Sequence, residues 1–366
     1  MDGTLQALRE ELEELNFGLL ELLNRRARVV TEVQAIKSRD GIPTYVPERE
    51  QAMLGELVDA NRGPFPDETV RHLFKEIFKA SVRLMETEKR QVLKVSRASR
   101  EADLVVKVGG ELIGGPPVVI AGPCSVEDEG QMDAVGRRLS ELGVGLLRGG
   151  AYKPRSSPYA FQGLGKRGLE ILRDTGRRWG LSVVTEVMDT RTVELVAEHA
   201  DVLQIGSRNM YNYDLLREVG KAGKPVLLKR GLSATVEEFL WAAEYVVLHG
   251  NKQVILCERG IRTFETQTRN TLDVSAVALL RAQTYLPILV DVSHAAGRKD
   301  ILAPLARAAL AAGAQGIMVE VHPCPAVARS DAQQQLDFQE FETFLDQAGL
   351  RRKTAWRMAA GERTTT

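Results

Sequence analysis

The sequence has few cysteines, no excess of either charge and no long apolar run. Its 366 residues include three cysteines, an odd and sparse count that argues against a disulfide framework and favours a reducing compartment. Basic and acidic residues number 49 each, so no global field attracts nucleic acid or a membrane surface. The chain lacks the ~18-residue apolar stretch of a transmembrane helix and the apolar core of a signal peptide. These absences predict a cytoplasmic globular protein.

Between residues 4 and 38, apolar side chains recur at heptad spacing and no proline intervenes. The pattern predicts one helix about 50 Å long. Such a helix is too long to fold alone, so we expect it to pack in a bundle, within a dimer. Arg26 lies on the apolar seam and Arg9 and Lys37 flank it, where buried cations are costly unless an anion binds between the helices. The alternative is that these side chains extend past the seam into solvent.

Two further helices complete this N-terminal module, which is predicted to span residues 1–95. Pro47 begins the second helix, residues 61–66 end it, and the third runs from about Asp67 to Val95. The arrangement resembles the all-helical chorismate mutase family, in which cations from both chains of an intertwined dimer grip the dicarboxylate chorismate. The resemblance places six residues in that pocket, namely Arg9, Arg26, Lys37, Arg49, Glu50 and Ser81.

Two positions depart from the mutase pattern. Val46 stands where the family usually has an acidic residue, and Met85 stands where it has a glutamine or glutamate that hydrogen-bonds the ether oxygen of the breaking bond. A thioether cannot donate that hydrogen bond, and such donors lower reaction barriers substantially. We therefore expect chorismate mutase activity to be weak or absent while carboxylate binding survives. A working bifunctional enzyme is the alternative.

After a polar linker at residues 96–103 and a short hairpin, short apolar runs alternate with longer helical patterns, as expected for buried parallel strands. The runs are Val118–Ala121, Gly145–Leu147, Leu181–Thr185, Val202–Ile205, Pro225–Leu228, Gln253–Leu256, Pro287–Val290 and Gly316–Val319. They predict an α/β fold, a TIM (β/α)8 barrel over residues 104–350 behind the N-terminal all-α domain, with residues 351–366 as a disordered tail. An open doubly wound sheet is the alternative, although no dinucleotide-binding glycine pattern follows the first run.

The chemistry of such a barrel lies at the carboxyl ends of its strands, where this chain places charged or nucleophilic side chains. They are Cys124, Arg148, Glu186, Arg208, Lys229, Glu258 with Arg259, His294, and Glu320 with His322. Five cations converge there, namely Arg148, Lys153, Arg208, Lys229 and Arg259. They repel one another unless a polyanion balances them, so we expect a substrate that carries phosphate and carboxylate. Salt bridges to Glu186 and Glu258 are the alternative.

A second set of strand-end residues combines one thiol, one imidazole and two carboxylates. Its members are Cys124, His294, Glu320 and Asp331. This mixture is typical of a site for a divalent transition metal. The alternatives are that Cys124 is a nucleophile, or that His322 and Cys324 replace members of the set. Cys257 lies inside an apolar run and is interpreted as a core residue.

Seven motifs of the barrel occur in the order typical of one family. They are Ala-Gly-Pro-Cys-Ser, Leu-Arg-Gly-Gly-Ala-Tyr-Lys-Pro-Arg-Ser-Ser, Gln-Ile-Gly-Ser-Arg-Asn-Met, Leu-Leu-Lys-Arg-Gly, Cys-Glu-Arg-Gly, Asp-Val-Ser-His and Val-Glu-Val-His-Pro. Residues 104–348 thereby closely resemble the 3-deoxy-D-arabino-heptulosonate 7-phosphate (DAHP) synthases, in the short-barrel form with a chorismate-mutase-like domain. The related octulosonate 8-phosphate synthases have an Ala-Asn-Arg type of loop where this chain has Lys153-Pro154-Arg155-Ser156.

The resemblance implies the first reaction of the shikimate pathway, the condensation of phosphoenolpyruvate with erythrose 4-phosphate. It assigns the five cations to phosphoenolpyruvate, and Arg155 and Ser156 to the phosphate of the aldose. A metal on the four ligands would polarise the aldehyde; Mn is the expected ion, with Fe, Co and Zn as alternatives. Lys153, Glu186 and His294 are the expected catalytic residues, the first two as proton carriers.

The resemblance also gives the helical module a regulatory role. Chorismate or prephenate bound there is expected to inhibit the synthase as end-of-pathway feedback. A non-catalytic metabolite sensor is the remaining alternative. The expected assembly is a homodimer or homotetramer, without nucleic-acid or membrane partners.

Overall fold

A computed structural model describes residues 2–39, 42, 46–88, 92–153, 157 and 159–351. The chain divides into two compact units, Met1–Val92 and Leu93–Thr366. The predicted aldose-phosphate residues Arg155 and Ser156 lie outside the described residues, as does the predicted tail beyond Arg351. Among the helices described, none combines the length and the apolar composition that a membrane crossing requires.

In the part of the first unit that the structure describes, the regular elements are all helices, as predicted. Its helices are α1 (Asp2–Arg39), α2 (Pro47–Asp59) and α3 (Asp67–Glu88). Helix α1 runs for 38 residues without a break, about 57 Å at 1.5 Å per residue. Pro47 begins α2 because its fixed φ suits a first helical turn, where its missing N–H has no partner to lose.

The predicted end of the third helix at Val95 is wrong. Helix α3 ends at Glu88, and Val95 is fully buried in the core of the second unit. The carboxylate of Glu244 accepts hydrogen bonds from the backbone N–H groups of Lys94 and Val95, each at 3.0 Å. These bonds hold a turn at Lys94 and Val95 on the second unit, which helical periodicity could not reveal.

The second unit contains the predicted (β/α)8 barrel. A hairpin of β1 (Val106–Val108) and β2 (Glu111–Ile113) precedes it. The barrel strands are β3 (Val118–Gly122), β4 (Leu146–Arg148), β5 (Ser182–Glu186), β6 (Val202–Ile205), β7 (Val226–Lys229), β8 (Val254–Glu258), β9 (Ile288–Asp291) and β10 (Gly316–Glu320). They pair in parallel and in sequence order, and β10 closes the ring on β3. The open-sheet alternative is therefore wrong.

Helices surround this ring. They are α4 (Glu129–Glu141), α5 (Lys166–Trp179), α6 (Val193–His199), α7 (Tyr213–Lys221), α8 (Val236–Leu248), α9 (Val274–Gln283), α10 (Val292–Ala296), α11 (Leu302–Ala311) and α12 (Phe338–Gln347). One apolar core lies between strands and helices, and a second fills the barrel interior. The strands are buried on both faces, which explains why their sequences are continuously apolar.

The hairpin covers the amino ends of the strands. Val106, Val108 and Ile113 belong to the interior core, and Gln315 donates a hydrogen bond to the carbonyl of Gly114 at 2.9 Å. The polar segment predicted as a linker packs nearby, because Arg97 donates to Asp103 at 2.6 Å and to the carbonyl of Thr284 at 2.8 Å. The amino ends are thus occupied by structural contacts, and the carboxyl ends remain for the site.

Candidate active site

The carboxyl ends of the strands surround a cavity of about 290 Å³. Eight of the predicted site residues line it, namely Arg148, Lys153, Glu186, Arg208, Lys229, Arg259, His294 and Asp331. Arg262 and Arg269 add two cations that the sequence interpretation missed. Seven basic side chains against two carboxylates give the lining a net positive charge, which suits a polyanion.

The expected alternative pairing of these cations with Glu258 is wrong. Glu258 is fully buried and its Oε2 lies 2.9 Å from Nη1 of Arg230, a residue that sequence reasoning did not single out. The same guanidinium contacts Asp273 at 2.8 Å. The other oxygen of Glu258 accepts the backbone N–H of Gly260 at 2.6 Å, which fixes the turn on both sides of Arg259. Arg259 is thereby directed into the cavity.

Two guanidinium groups face the cavity with unsatisfied N–H donors. Nη1 of Arg259 and Nη1 of Arg148 are buried and, in the part of the chain that the structure describes, have no hydrogen-bond acceptor. Arg148 Nη1 lies 3.0 Å from Oε1 of Glu320, a charge contact that lacks hydrogen-bond geometry. Burial lowers the pKa of Arg259. Burial also acts to lower the pKa of Arg148, but Glu320 and Asp291 with other acidic neighbours together raise it. Buried unpaired donors are costly, so both favour an anionic acceptor in the cavity.

The four predicted metal ligands lie together beside this cavity. One donor atom from each of Cys124, His294, Glu320 and Asp331 falls within 4.8 Å of all the others. Nε2 of His294 lies 3.5 Å from Oε1 of Glu320 and 3.8 Å from Oδ2 of Asp331. Oε1 of Glu320 is buried without a hydrogen bond from any described residue, as a ligand oxygen should be. The residues therefore fit a divalent ion.

Asp291 sets the orientation of the histidine and was missed at the sequence level, although it begins the Asp-Val-Ser-His motif. Its Oδ1 accepts the backbone N–H of His294 at 3.0 Å, and its Oδ2 lies 2.8 Å from Nδ1 of the ring. Burial lowers the pKa of His294, while His294 and Lys229 hold the pKa of Asp291 well below its usual range despite burial. A neutral ring with Nδ1–H donated to Asp291 directs the Nε2 lone pair into the cluster.

The thiol of Cys124 is buried and protonated. Burial, with Glu320 nearby, raises its pKa to about 12, although Lys153 acts in the opposite direction. A thiol with such a pKa is a poor nucleophile, and it becomes a thiolate only when a metal replaces its proton. The alternative ligands His322 and Cys324 are not part of the cluster. They contact each other instead, because Nδ1 of His322 accepts the backbone N–H of Cys324 at 3.0 Å. Cys257 is fully buried in the barrel interior, as predicted.

Two loop residues, Arg269 and Gln334, hold the carboxylates of the cluster in place by hydrogen bonds. Arg269 donates to Oδ2 of Asp331 at 3.1 Å and to Oε1 of Gln334 at 2.9 Å. Gln334 in turn donates to Oε2 of Glu320 at 2.5 Å. The pKa of Asp331 falls to about 2, because Arg269 and His294 outweigh the opposing effect of burial. Both carboxylates are therefore ionised and oriented.

In the helical unit, the structure brings two of the six predicted pocket residues into contact. The guanidinium of Arg26 donates to Oγ of Ser81 and lies 5.1 Å from the centroid of the Phe78 ring. Burial lowers the pKa of Arg26. Of the others, Arg9 and Arg49 are exposed, whereas Lys37 and Glu50 are half-buried.

A parallel (β/α)8 barrel whose charged side chains converge at the carboxyl ends of its strands belongs to the class of (β/α)8-barrel enzymes, and its cation-lined cavity suits an anion. The DAHP synthetase I family model matches residues 97–354, and the chorismate mutase type II model matches residues 8–86. The chain therefore belongs to the DAHP synthetase I family, with an N-terminal chorismate mutase type II domain. It is an enzyme of aromatic biosynthesis, a DAHP synthase, as the motifs predicted.

Individual relatives agree with this assignment. A phospho-2-dehydro-3-deoxyheptonate aldolase of Thermotoga maritima is 54% identical over 254 residues, which cover 69% of this chain and 75% of that protein. A crystal structure of the enzyme of that name from the same organism has a TM-score of 0.68 over 70% of this chain and 75% of its own. A 2-dehydro-3-deoxyphosphooctonate aldolase of Acidithiobacillus ferrooxidans is 34% identical over 234 residues, covering 59% of this chain and 82% of that protein.

Proposed function

We propose that the barrel condenses phosphoenolpyruvate with erythrose 4-phosphate in a reaction that depends on a divalent metal, with Mn as the expected ion. The observation that carries this proposal is the junction of the cavity with the ligand cluster. His294 and Asp331 belong to the cluster and also line the cavity, so a bound anion and a bound metal would be neighbours. The family membership supports the same reaction.

The five cations would hold the phosphate and the carboxylate of phosphoenolpyruvate. Arg148 and Arg259 offer their unsatisfied N–H donors, and Lys153, Arg208 and Lys229 line the same cavity. A guanidinium can bind either anion with two parallel hydrogen bonds, which fixes orientation as well as position. Arg155 and Ser156, outside the described residues, are proposed to hold the phosphate of the aldose.

When bound, a divalent ion at the cluster would act as a Lewis acid on the aldehyde oxygen. The enol carbon of phosphoenolpyruvate forms the new bond to the aldehyde carbon, and Lys153 gives its proton to the resulting alkoxide oxygen. Nζ of Lys153 is suited to this because it lies 3.1 Å from Sγ of Cys124, beside the cluster. Water then adds at the carbon of phosphoenolpyruvate that bears the phosphate and gives one proton to Glu186. The carbon–oxygen bond to phosphate breaks, the remaining hydroxyl proton leaves with the phosphate, and the carbon becomes a ketone. His294 contributes as a ligand held by Asp291.

Release of inorganic phosphate from both substrates tests this reaction. We expect turnover with Mn²⁺, its loss after chelation and its recovery when Mn²⁺, Fe²⁺, Co²⁺ or Zn²⁺ is returned. Glu186→Gln should lower the rate by about 10²-fold or more, as expected for loss of a general base. The exposed Glu141→Gln should leave the rate unchanged. No phosphate release with any of these metals would refute the proposal.

The helical domain is proposed to bind chorismate or prephenate and to inhibit the barrel. Arg26 supports this because it is a partly buried cation at a heptad position of α1 whose other members are apolar. Removal of residues 1–92, which keeps the buried Val95, should give a synthase that prephenate no longer inhibits. A truncated enzyme that is still inhibited would contradict this role.

Chorismate mutase turnover is proposed to be weak, because Met85 is buried and cannot donate a hydrogen bond to the ether oxygen. Met85→Gln should raise the rate of chorismate loss, followed by its ultraviolet absorbance, whereas the exposed Met53→Gln should not. Fast turnover by the unaltered chain would instead favour the bifunctional enzyme.

A second copy of the chain is proposed to cover α1. Nine apolar side chains on its heptad positions are 42–62% exposed, namely Leu5, Leu8, Leu12, Leu15, Leu19, Leu22, Val29, Val33 and Ile36. An apolar surface of this length is typical of an interface. Light scattering should show a dimer, or a tetramer built from dimers, and Leu15→Glu with Leu22→Glu should reduce that mass. A monomeric unaltered chain would contradict the proposal.

A further inference from the structure

Asp291 contacts both parts of the site at once. It is fully buried at the end of β9. Its Oδ2 lies 2.8 Å from Nδ1 of His294, a member of the ligand cluster, and forms an ion pair with Nζ of Lys229, one of the cavity cations. Lys229 ends β7, so the pair spans the end of β8 inside the barrel. One carboxylate therefore holds a residue of the metal cluster and a residue of the anion cavity.

Two other cluster ligands also face cavity cations. Oε1 of Glu320 lies 3.0 Å from Nη1 of Arg148, and Sγ of Cys124 lies 3.1 Å from Nζ of Lys153. A divalent ion at the cluster would take over the charge balance of these ligands and leave the cations to an anion. The two binding events therefore favour each other electrostatically.

Asp291 differs from these direct contacts because it belongs to neither group of binding residues. A cation on Nε2 of His294 would strengthen the hydrogen bond from Nδ1–H to Oδ2 of Asp291. The carboxylate would then offset less of the charge of Lys229, and Lys229 would attract an anion more strongly. By thermodynamic reciprocity, an anion bound at Lys229 would in turn strengthen the binding of the cation at His294.

Building on the proposed function, we propose that metal and phosphoenolpyruvate bind with positive coupling, and that Asp291 is the positioning residue that transmits part of it. Asp291 does so by holding the ring of His294 and the ammonium of Lys229 with the same oxygen. Removing it should change the coupling between the ligands as well as the affinity for either one.

The test measures Mn²⁺ affinity of the full chain by electron paramagnetic resonance, with and without saturating phosphoenolpyruvate and without the aldose. We expect phosphoenolpyruvate to tighten Mn²⁺ binding by about tenfold or more. Asp291→Asn should weaken Mn²⁺ binding by about 10–100-fold and also reduce the effect of phosphoenolpyruvate. Exposed Asp300→Asn is the matched control and should change neither quantity.

Asp291→Asn leaves the ammonium of Lys229 buried without its counter-charge, so circular dichroism must first show that this variant folds. Lys229→Met provides a second test, because Lys229 is not a cluster ligand. Without phosphoenolpyruvate it should keep or tighten Mn²⁺ binding, because Asp291 then holds His294 alone, and it should reduce the effect of phosphoenolpyruvate at saturation. An unaltered chain without coupling, or either folded variant with the full coupling, would overturn the inference. Coupling without phosphate release would instead refute the proposed reaction alone.

Discussion

Arg230→Met removes the partner of a carboxylate that has no access to water. Nη1 of Arg230 lies 2.9 Å from Glu258 and 2.8 Å from Asp273, and its Nε donates to the carbonyl of Ala234 at 2.9 Å. Methionine has similar length but none of these donors. Glu258 would remain buried with an uncompensated charge, while Asp273, whose side chain is 23% exposed, would still reach water.

The loss of stability follows from the burial of Glu258. Breaking a buried ion pair by removing one partner costs about 3–5 kcal/mol, whereas the exposed part of the network adds at most about 1 kcal/mol. A domain of this size shifts its Tm by about 2–4 °C for each kcal/mol, so a decrease of about 10 °C is expected. The turn that directs Arg259 should also loosen, which would raise KM for phosphoenolpyruvate.

Thermal unfolding and urea unfolding of the full chain measure this effect. The double variant Arg230→Met with Glu258→Gln should regain at least half of the lost stability, because no unpaired charge remains. Arg217→Met, which breaks the exposed pair with Asp214, is the control and should cost less than about 1 kcal/mol. A shift in Tm below about 2 °C for Arg230→Met, or a double variant no better than the single one, would refute the reasoning.

Three further predictions concern thiols, a close backbone contact and pH. In chelated enzyme at pH 7–8, iodoacetamide should modify exposed Cys324 but spare Cys124, because burial raises the pKa of Cys124 to about 12; equal labelling would contradict this. Gly122→Ala should cost more than about 2 kcal/mol and weaken metal binding, since its φ is +145° and the added carbon would lie 2.1 Å from a backbone oxygen of β4; an unchanged urea midpoint would count against it. A hydrogen bond from Arg281 lowers the pKa of Asp103 despite burial. The stability that ionised Asp103 contributes is therefore fully present above its pKa in the unfolded chain, about 3.9. It is lost as the pH falls through the lower pKa that Asp103 has in the folded protein. The urea midpoints of Asp103→Asn and of the unaltered chain should therefore differ by a constant amount from pH 5 to 8. This difference corresponds to about 1 kcal/mol or less for such a half-exposed pair, and it should shrink below pH 4. A difference that grows below pH 4 would contradict the assignment.

The sequence was most informative where physical periodicity is strong. Strands buried on both faces read as continuous apolar runs, so each barrel strand was found within a residue or two of its observed bounds. Parallel closure then requires that their carboxyl ends meet at one end of the barrel. That requirement predicts that Cys124, His294 and Glu320 lie close together, although no distance can be read from the sequence.

Residues that act through orientation were harder to find. Arg230 follows Lys229 directly in the chain, yet it pairs with Glu258 outside the cavity. Arg269 comes from a loop without a periodic pattern and reaches Asp331 across 62 positions of sequence. Asp291 belongs to the Asp-Val-Ser-His motif, but the motif does not reveal its ion pair with Lys229. That pair forms because the ends of β7 and β9 lie on either side of β8 in the closed barrel.

The sequence alone determined the helical first unit, the eight-stranded barrel and the set of residue types at its carboxyl end. The helices and strands follow from local patterns, and all strands of a parallel barrel have their carboxyl ends on the same side. The tertiary structure decided which charges pair with each other. It placed Glu258 with Arg230, left Arg148 and Arg259 with unsatisfied donors, and joined the cluster to the cavity through Asp291. Charge pairing depends on distances of a few ångströms between residues far apart in the chain, and sequence spacing does not encode those distances.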